Sequence, residues 1–321
     1  MKDGNVSSQD VMTLKDIPRK NKTKFSHWIP FYIMGLPGLI YLFVNNYLPM
    51  FGLQIAFKKF NYAKGIWGSD WCGFDNFKYL FSSEQAFRIT RNTIVYNLFF
   101  IVLGMVCGVG VAILINEIIS VFAKRFYQTV ILLPYLMSMV IVAYLVYAYL
   151  SPSTGLVNSI IRGFGGDGIE WYKEKIYWPF ILVFVNLWKS IGFGMVLYLS
   201  SIVGISKEYY EAAQIDGATK WQQIRKITLP LLKPTMITML ILNCGHIFRS
   251  DFGLFYQVPM NQGALYAVTD TIDTFVYRGL MVKPNMAMSS AAGFYQSVVG
   301  FICVLTVNGI VRKVNNENAM F

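Results

Sequence analysis

Few side chains in this sequence could do chemistry, and those that could are scattered. Lys189, His246 and Arg249 fall inside or at the ends of long apolar runs. An ionisable group in such a run costs about 2.5–3.5 kcal/mol on membrane-insertion scales, so it faces a cavity or a partner. Lys189 is expected to pair within a helix bundle or to face such a cavity. Arg249, two residues before Asp251, either marks a helix end or lines the same space. The only histidines are His27 and His246, too few for a metal cluster. A lone His246 is more readily a hydrogen-bonded packing residue than a ligand. No Ser/His/Asp or Cys/His set is available for nucleophilic catalysis. Cys107, Cys244 and Cys303 sit in apolar runs, where a thiol acts as a small apolar group, and Cys72 stands alone, so no disulfide framework or zinc spacing follows. The Arg162–Gly168 stretch RGFGGDG follows no strand and opens no βαβ unit, so it reads as a turn-rich surface loop rather than a phosphate cradle. A G-x-x-x-x-G-K-[ST] motif is also missing, so the chain cannot bind ATP by that route.

One polar stretch is patterned. Glu211–Pro230, EAAQIDGATKWQQIRKITLP, lies between two long apolar runs. Ser206 can cap a helix whose first turn carries Glu208, favourably placed at the positive helix end. Gly217 is placed to supply the left-handed residue that ends this helix. Thr219 and Gln222 form a T-x-x-Q capping box that opens a second helix, running to about Ile227, and Pro230 marks entry into the next apolar run. The expected product is a helix–turn–helix along a membrane surface. Such a lever is rigid, shows a compact face to a partner, and continues into membrane helices. Ala212 and Ala213 permit close docking, and Glu211 and Asp216 offer charge partners. The plainer reading is an amphipathic loop with no partner.

The surrounding elements must be membrane helices. Hydrophobic residues make up 55% of the 321 residues and charged residues 14%, with a mean hydropathy of +0.45. The apolar residues gather into six blocks, at about Trp28–Ala56, Asn92–Leu114, Phe126–Leu150, Ile176–Val203, Leu231–Phe248 and Ser289–Val311. Blocks of roughly 20 residues are long enough to cross a bilayer as helices. The first and fourth are longer than needed, and Asn243, His246 and Arg249 interrupt the fifth. The expectation is an all-α integral membrane protein of about six spans, or five if the fifth block fails, with the helix–turn–helix between spans four and five.

Lys and Arg set the orientation. Segments 1–27, 117–125, 205–233 and 312–321 hold 15 of them in 75 residues, whereas 54–91, 151–177 and 250–288 hold 11 in 104. The denser side is cytoplasmic, which places both termini and the 205–230 loop in the cytosol. Three parts are expected: a basic cytoplasmic tail (1–27), a transmembrane domain (28–313) and a short cytoplasmic tail (314–321). The first 27 residues lack the short apolar core of a removable signal peptide. The net charge of +11 is then membrane anchoring, since no aromatic-interleaved basic patch suited to nucleic acid is present.

The motif Glu211-Ala212-Ala213-x3-Gly217-x9-Ile227-x-Leu229-Pro230 resembles the EAA loop of permease subunits of binding-protein-dependent ABC importers. Its place between the fourth and fifth of six spans also matches. A position often held by Phe is Ile224 here, still apolar. Asp216 and Ala218 complete the set that the resemblance assigns to ATPase coupling. Trp71-x-Gly73, Asn76-Phe77, Asn92-Thr93, Leu133-Pro134, Gly155–Asn158 and Trp188-Lys189 resemble sugar-type permeases. Thr269–Thr274 with Val276-Tyr277-Arg278 resembles the branch that imports complex oligosaccharides. Similarity runs from about residue 28 to 313.

The resemblance implies a substrate route between two homologous permeases. Two cytosolic ATP-binding subunits would hold the ATP and Mg, and an extracytoplasmic solute-binding protein would deliver an oligosaccharide through the bacterial cytoplasmic membrane. No cofactor is expected on this chain, and no catalysis. Sugar cavities combine aromatic faces with a few fixed polar groups. Candidates within the spans are Tyr96, Asn97, Tyr135, Ser138, Asn186, Trp188, Lys189, Asn243, His246, Arg249, Tyr295 and Gln296. Two basic groups and His246 would suit an acidic sugar such as a uronate oligomer. The alternative, an ion-coupled secondary transporter, needs a carboxylate near the centre of a span, and none falls there. A membrane-embedded enzyme would need a catalytic cluster of His, Asp or Glu, which the sequence lacks.

Overall fold

A computed structural model describes residues 28–282 and 285–314. The basic tail 1–27 and residues 315–321 lie outside the described residues. The chain divides into two units, Met1–Gly52 and Leu53–Phe321.

In the first unit, helix α1 (Ile29–Leu42) starts with Pro30 in its first turn, where the missing N–H costs nothing, and carries Pro37 inside. A π-turn at Phe43–Tyr47 and a 3-10 segment, Leu48–Phe57, prolong it. Every side chain from Trp28 to Phe51 is exposed, and Ile29–Phe57 is apolar and long enough to cross a membrane.

The second unit opens on a small cap. Strands β1 (Lys58–Lys59) and β2 (Asp70–Trp71) pair antiparallel, followed by helix α2 (Asp75–Phe81). Asn76 pins the cap by donating to the carbonyls of Ala56 and Lys58. Lys58 is buried, donates to the carbonyls of Ile66 and Trp67, and sits 4.9 Å from the Trp71 ring. Phe57, Phe74, Phe77 and Phe294 form an aromatic cluster, while Trp67, Trp71, Tyr79 and Phe81 are exposed.

Helix α3 (Glu84–Asn116) begins at Ser83, whose hydroxyl accepts from the Ala86 N–H. It starts eight residues before the apolar block, because periodic burial of Ala86 and Ile89 carries the helix beyond the span. The third block departs from expectation. It is not one helix but two, α4 (Val121–Leu136) and α5 (Met139–Leu150), bent by 96°. Pro134 contributes no N–H, Met137 and Ser138 are extended, and the Ser138 hydroxyl caps the new helix by accepting from Ile141. Apolar composition is blind to such a break. The chain thus has five helices of spanning length, or six if the bent pair forms one span, among the described residues.

Helix α6 (Leu156–Gly163) lies in the loop after α5. There Arg162 donates to the carbonyls of Pro152 and Ser153, and buried Asn158 bonds Pro152, Ile169 and Trp171. The glycine-rich stretch is the turn that leaves this helix, tied back to Pro152 and Ser153 by Arg162.

Helix α7 (Trp178–Val203) is the central element. Its small residues admit close neighbours: a Cβ at Gly192 would collide with the Ile131 carbonyl of α4, and one at Gly108 of α3 would meet the Tyr198 ring at 3.2 Å. One apolar core joins Tyr96, Val142, Trp178, Leu182, Val185 and Phe255. A second, toward the other end, joins Val109, Ala112, Met195, Tyr198, Ile202 and Leu232.

Helices α8 (Lys207–Ile215) and α9 (Lys220–Gln223) form the expected hairpin. The second arm does not stop before Pro230. It passes through a π-turn at Ile224–Thr228 into α10 (Leu229–Gly245), giving one uninterrupted rod from Lys220 to Gly245. Pro230 follows the π-turn directly, and the locally widened turn carries the helix past a residue that donates no N–H. Helix α11 (Ile272–Met281) and the last span, α12 (Met286–Val314), complete the fold.

Candidate functional site

Two features stand out: a largely apolar cleft among the spans that carries several polar groups, and the exposed hairpin that shares a helix with it.

The cleft, about 300 Å³, opens between α3, α7 and the end of α10. Asn97 comes from α3, Asn186 and Ser190 from α7, and Asn243 from α10. His246, Arg249 and Asp251 follow in the non-helical segment after Gly245. Phe100 and Phe193 give it aromatic walls. The Asn97 amide donates to the carbonyls of Ile247 and Arg249, at 2.9 and 2.8 Å, fixing the segment that presents Arg249. The Ser190 hydroxyl is turned to the Asn186 carbonyl, 2.7 Å away. Asp251 accepts from the Leu254 N–H and so caps the next turn while lining the cleft. The mix of amides, one imidazole, one guanidinium, one carboxylate and two aromatic faces suits a polyhydroxylated ligand.

Five of the sequence-derived candidates therefore come together: Asn97, Asn186, Asn243, His246 and Arg249. The others have different surroundings. Tyr96 is buried in the core, its hydroxyl donating to the Val268 carbonyl. Trp188 packs against that core and lines a separate apolar groove with Leu145, Tyr149 and Phe184. Tyr295 packs edge-on against Phe81 and Phe248, and Gln296 donates to the Phe248 carbonyl and the Asp273 carboxylate. Ser138 caps α5. Lys189 donates to the Pro134, Tyr135 and Met137 carbonyls at 3.4, 3.1 and 2.5 Å, at the α4–α5 break. Tyr135 stacks on Phe193 of the cleft wall, with ring centroids 4.9 Å apart. Sequence reasoning missed Ser190 and Asp251. Ser190 stands one turn after Asn186, a spacing that could have found it.

A buried polar network joins α3 to the 267–278 segment. Asn92 donates to the Ala267 and Asp270 carbonyls, and the Thr93 hydroxyl accepts from the Ile272 N–H. Asp270 is buried and paired with Arg278, with Arg88 at 3.9 Å. Burial pushes its carboxyl above the ordinary carboxylate range, against the pull of Arg278, Thr274 and Arg88.

The hairpin is capped throughout. The Ser206 hydroxyl accepts from Glu208 N–H. Gly217 has φ +76°, Ala218 N–H donates to Ala213 carbonyl, and Gly217 N–H to Gln214 carbonyl, the paired bonds of a Schellman end. Thr219 and Gln222 satisfy each other's backbone N–H groups. The Tyr210 and Thr228 hydroxyls, 2.9 Å apart, tie one arm to the other, and Lys220 reaches Glu117 at the end of α3 at 3.2 Å. Glu211, Ala212, Asp216, Gly217 and Pro230 are exposed, and Ala213, Ala218, Ile224 and Leu229 half-buried. Two large apolar side chains protrude, Ile215 (87% exposed) and Trp221 (67%).

Spanning helices around a cleft that carries polar groups, continued by a rigid exposed hairpin, define a membrane permease. Residues 101–315 match the family of binding-protein-dependent transport system inner membrane components, and the chain belongs to it. Protein LplB of Bacillus subtilis (strain 168) is 33% identical over 294 residues, 92% of this chain and 91% of LplB. The polygalacturonan/rhamnogalacturonan transport system permease protein YteP of the same strain is 32% identical over 286 residues, 89% of this chain and 88% of YteP. A chain of a bacterial ABC transporter involved in import of the acidic polysaccharide alginate superposes with a TM-score of 0.83 at 35% identity, covering 91% of this chain and 98% of that one. A second structure of a bacterial alginate ABC transporter, in complex with an alginate pentasaccharide-bound periplasmic protein, matches with a TM-score of 0.82 at 35% identity, over 90% of this chain and 96% of that one.

Proposed function

We propose that this chain is one permease of an ATP-driven importer that carries oligosaccharides, acidic ones above all, through the cleft into the cytosol. The observation that carries the reading is the rod from Lys220 to Gly245, which begins at the hairpin and ends at the cleft, with Met239 and Asn243 on its wall. A push on the hairpin reaches the cleft along this one helix, through the π-turn at Ile224–Thr228. Glu211, Ala212, Ala213, Asp216, Gly217, Ala218, Ile224, Leu229 and Pro230 form or support the face that a cytosolic ATP-binding subunit engages, with Ile215 and Trp221 as its apolar contacts. ATP and Mg bind to a pair of such subunits, and no cofactor sits on this chain. A second, homologous permease completes the route, and a solute-binding protein delivers the sugar at the outer face.

The density of Lys and Arg supports a cytoplasmic hairpin and cytoplasmic termini, in a bacterial cytoplasmic membrane. Arg249 and His246 in the cleft favour an acidic sugar, in keeping with the alginate and polygalacturonan systems among the relatives. The test is uptake by the complete complex in proteoliposomes, with ATP inside and the solute-binding protein outside. Uronate oligomers should be imported in preference to neutral oligosaccharides of equal length. Arg249→Ala should raise KM for the uronate about tenfold, the loss of one charge-assisted contact of about 1.5 kcal/mol. Equal uptake of neutral sugars, unaffected by Arg249→Ala, would remove the acidic assignment. Uptake without ATP would remove the importer itself.

A further inference from the structure

Lys189 does not line the cleft, yet its ammonium is fully engaged one layer behind it. Helix α4 ends inside the third apolar block; the Pro134 carbonyl accepts from the Met137 N–H, and the Tyr135 and Met137 carbonyls lie beyond that last backbone bond. In hydrocarbon an unsatisfied carbonyl costs several kcal/mol, which favours a donor placed at the break. The Lys189 ammonium donates to the carbonyls of Pro134, Tyr135 and Met137, at the negative end of the α4 dipole. It also lies 5.9 Å from the centroid of the Tyr135 ring. Close packing at Gly192, where a Cβ would collide with the Ile131 carbonyl, presses α4 against α7, within reach of this side chain.

Broken membrane helices in transporters commonly offer such C-terminal carbonyls to a free cation. Here the cation is covalently attached. We propose that Lys189 is a positioning residue, a built-in cation that fills the carbonyl cage at the α4–α5 break. By doing so it holds Tyr135 against Phe193 in the cleft wall. Lys189 acts on the cleft through Tyr135 and Phe193, whose rings stack at 12°. Its three donors are spent on backbone, which leaves recognition of the sugar to Arg249 and the cleft amides. The break keeps its angle for as long as a hydrogen-bonding cation occupies the cage.

The test uses the full chain in its complex, reconstituted in proteoliposomes, with Lys189→Ala and Lys189→Met. Its transport arm rests on the importer reading, whereas its thermal arm does not, so failure of one is separable from failure of the other. Both variants should unfold at a lower temperature. Their maximal uptake rate should fall about tenfold while KM stays within about twofold of wild type, the pattern of a lost positioning group rather than a lost ligand. Propylammonium chloride should restore rate and unfolding temperature to Lys189→Ala. Tetramethylammonium chloride at equal concentration, which carries charge but no N–H donor, should not. An alanine variant recovered from membranes only in propylammonium would support the proposal equally. A raised KM with unchanged unfolding temperature would make Lys189 a substrate ligand and overturn the proposal. So would wild-type behaviour of both variants, or a defect that propylammonium does not relieve.

Discussion

Arg278 shows what a single buried pair contributes. Its guanidinium is bonded to the buried Asp270 carboxylate, donates to Asn261 and lies 4.1 Å from the Tyr266 ring centroid. Removing one partner of such a pair strands the other's charge, at a cost of about 3–5 kcal/mol. Arg278→Met should therefore lower the thermal stability of the complex sharply, and Asp270→Asn in the same chain should recover part of the loss. The pH dependence has a definite sign. Burial raises the Asp270 carboxyl above its unfolded value, and Arg278 opposes this. Without Arg278 the folded chain favours the protonated acid more strongly. Its contribution is then fully present below the unfolded pKa and lost as pH rises through the folded one. The Arg278→Met chain should accordingly be more stable near pH 5 than near pH 8, which unfolding scans at the two values would read. A larger defect at the acidic value would contradict this account of the network.

Gly217 fixes the angle between the hairpin's helices because its φ of +76° is costly for any residue with a Cβ. Open space surrounds it, so the penalty on substitution is conformational, not steric. Gly217→Val should destabilise the turn by about 1–2 kcal/mol. Sugar imported per ATP hydrolysed should fall more than the amount of complex in the membrane, a ratio measurable in proteoliposomes. This hairpin was legible residue by residue, since Ser206, Gly217 and the Thr219–Gln222 box are local signals that need no tertiary context. The break in the third span was not. Pro134 and Ser138 both hint at it, but the angle depends on α7 packing at Gly192 and on Lys189 reaching back across more than fifty residues of sequence. The rod beyond Pro230 was misjudged for a related reason. The second hairpin helix was expected to run to about Ile227, and no local signal shows that a π-turn at Ile224–Thr228 carries it past Pro230 into the span.

At the scale of the molecule, the cleft and the hairpin are two ends of one element. The cleft was half legible: Asn97, Asn186, Asn243, His246 and Arg249 converge, while Tyr96, Trp188, Tyr295 and Gln296 serve packing or polar contacts elsewhere. Apolar runs reveal which polar residues are immersed, but not which way each one turns. Asn92 and Thr93 illustrate the point. They are immersed and polar, yet they bond the backbone of the 267–272 segment across the bundle. The central claim is that the hairpin receives force from a separate ATP-binding subunit. The most direct measurement is copurification of the tagged full chain from its native membrane, with any ATP-binding subunit that accompanies it identified by mass spectrometry, comparing wild type with Glu211→Ala and Trp221→Glu. The account predicts a stable ATPase complex for wild type, and loss of the ATPase from both variants with membrane insertion intact. An ATPase that stays bound to both variants with undiminished import, or a wild-type chain that transports without one, would contradict it.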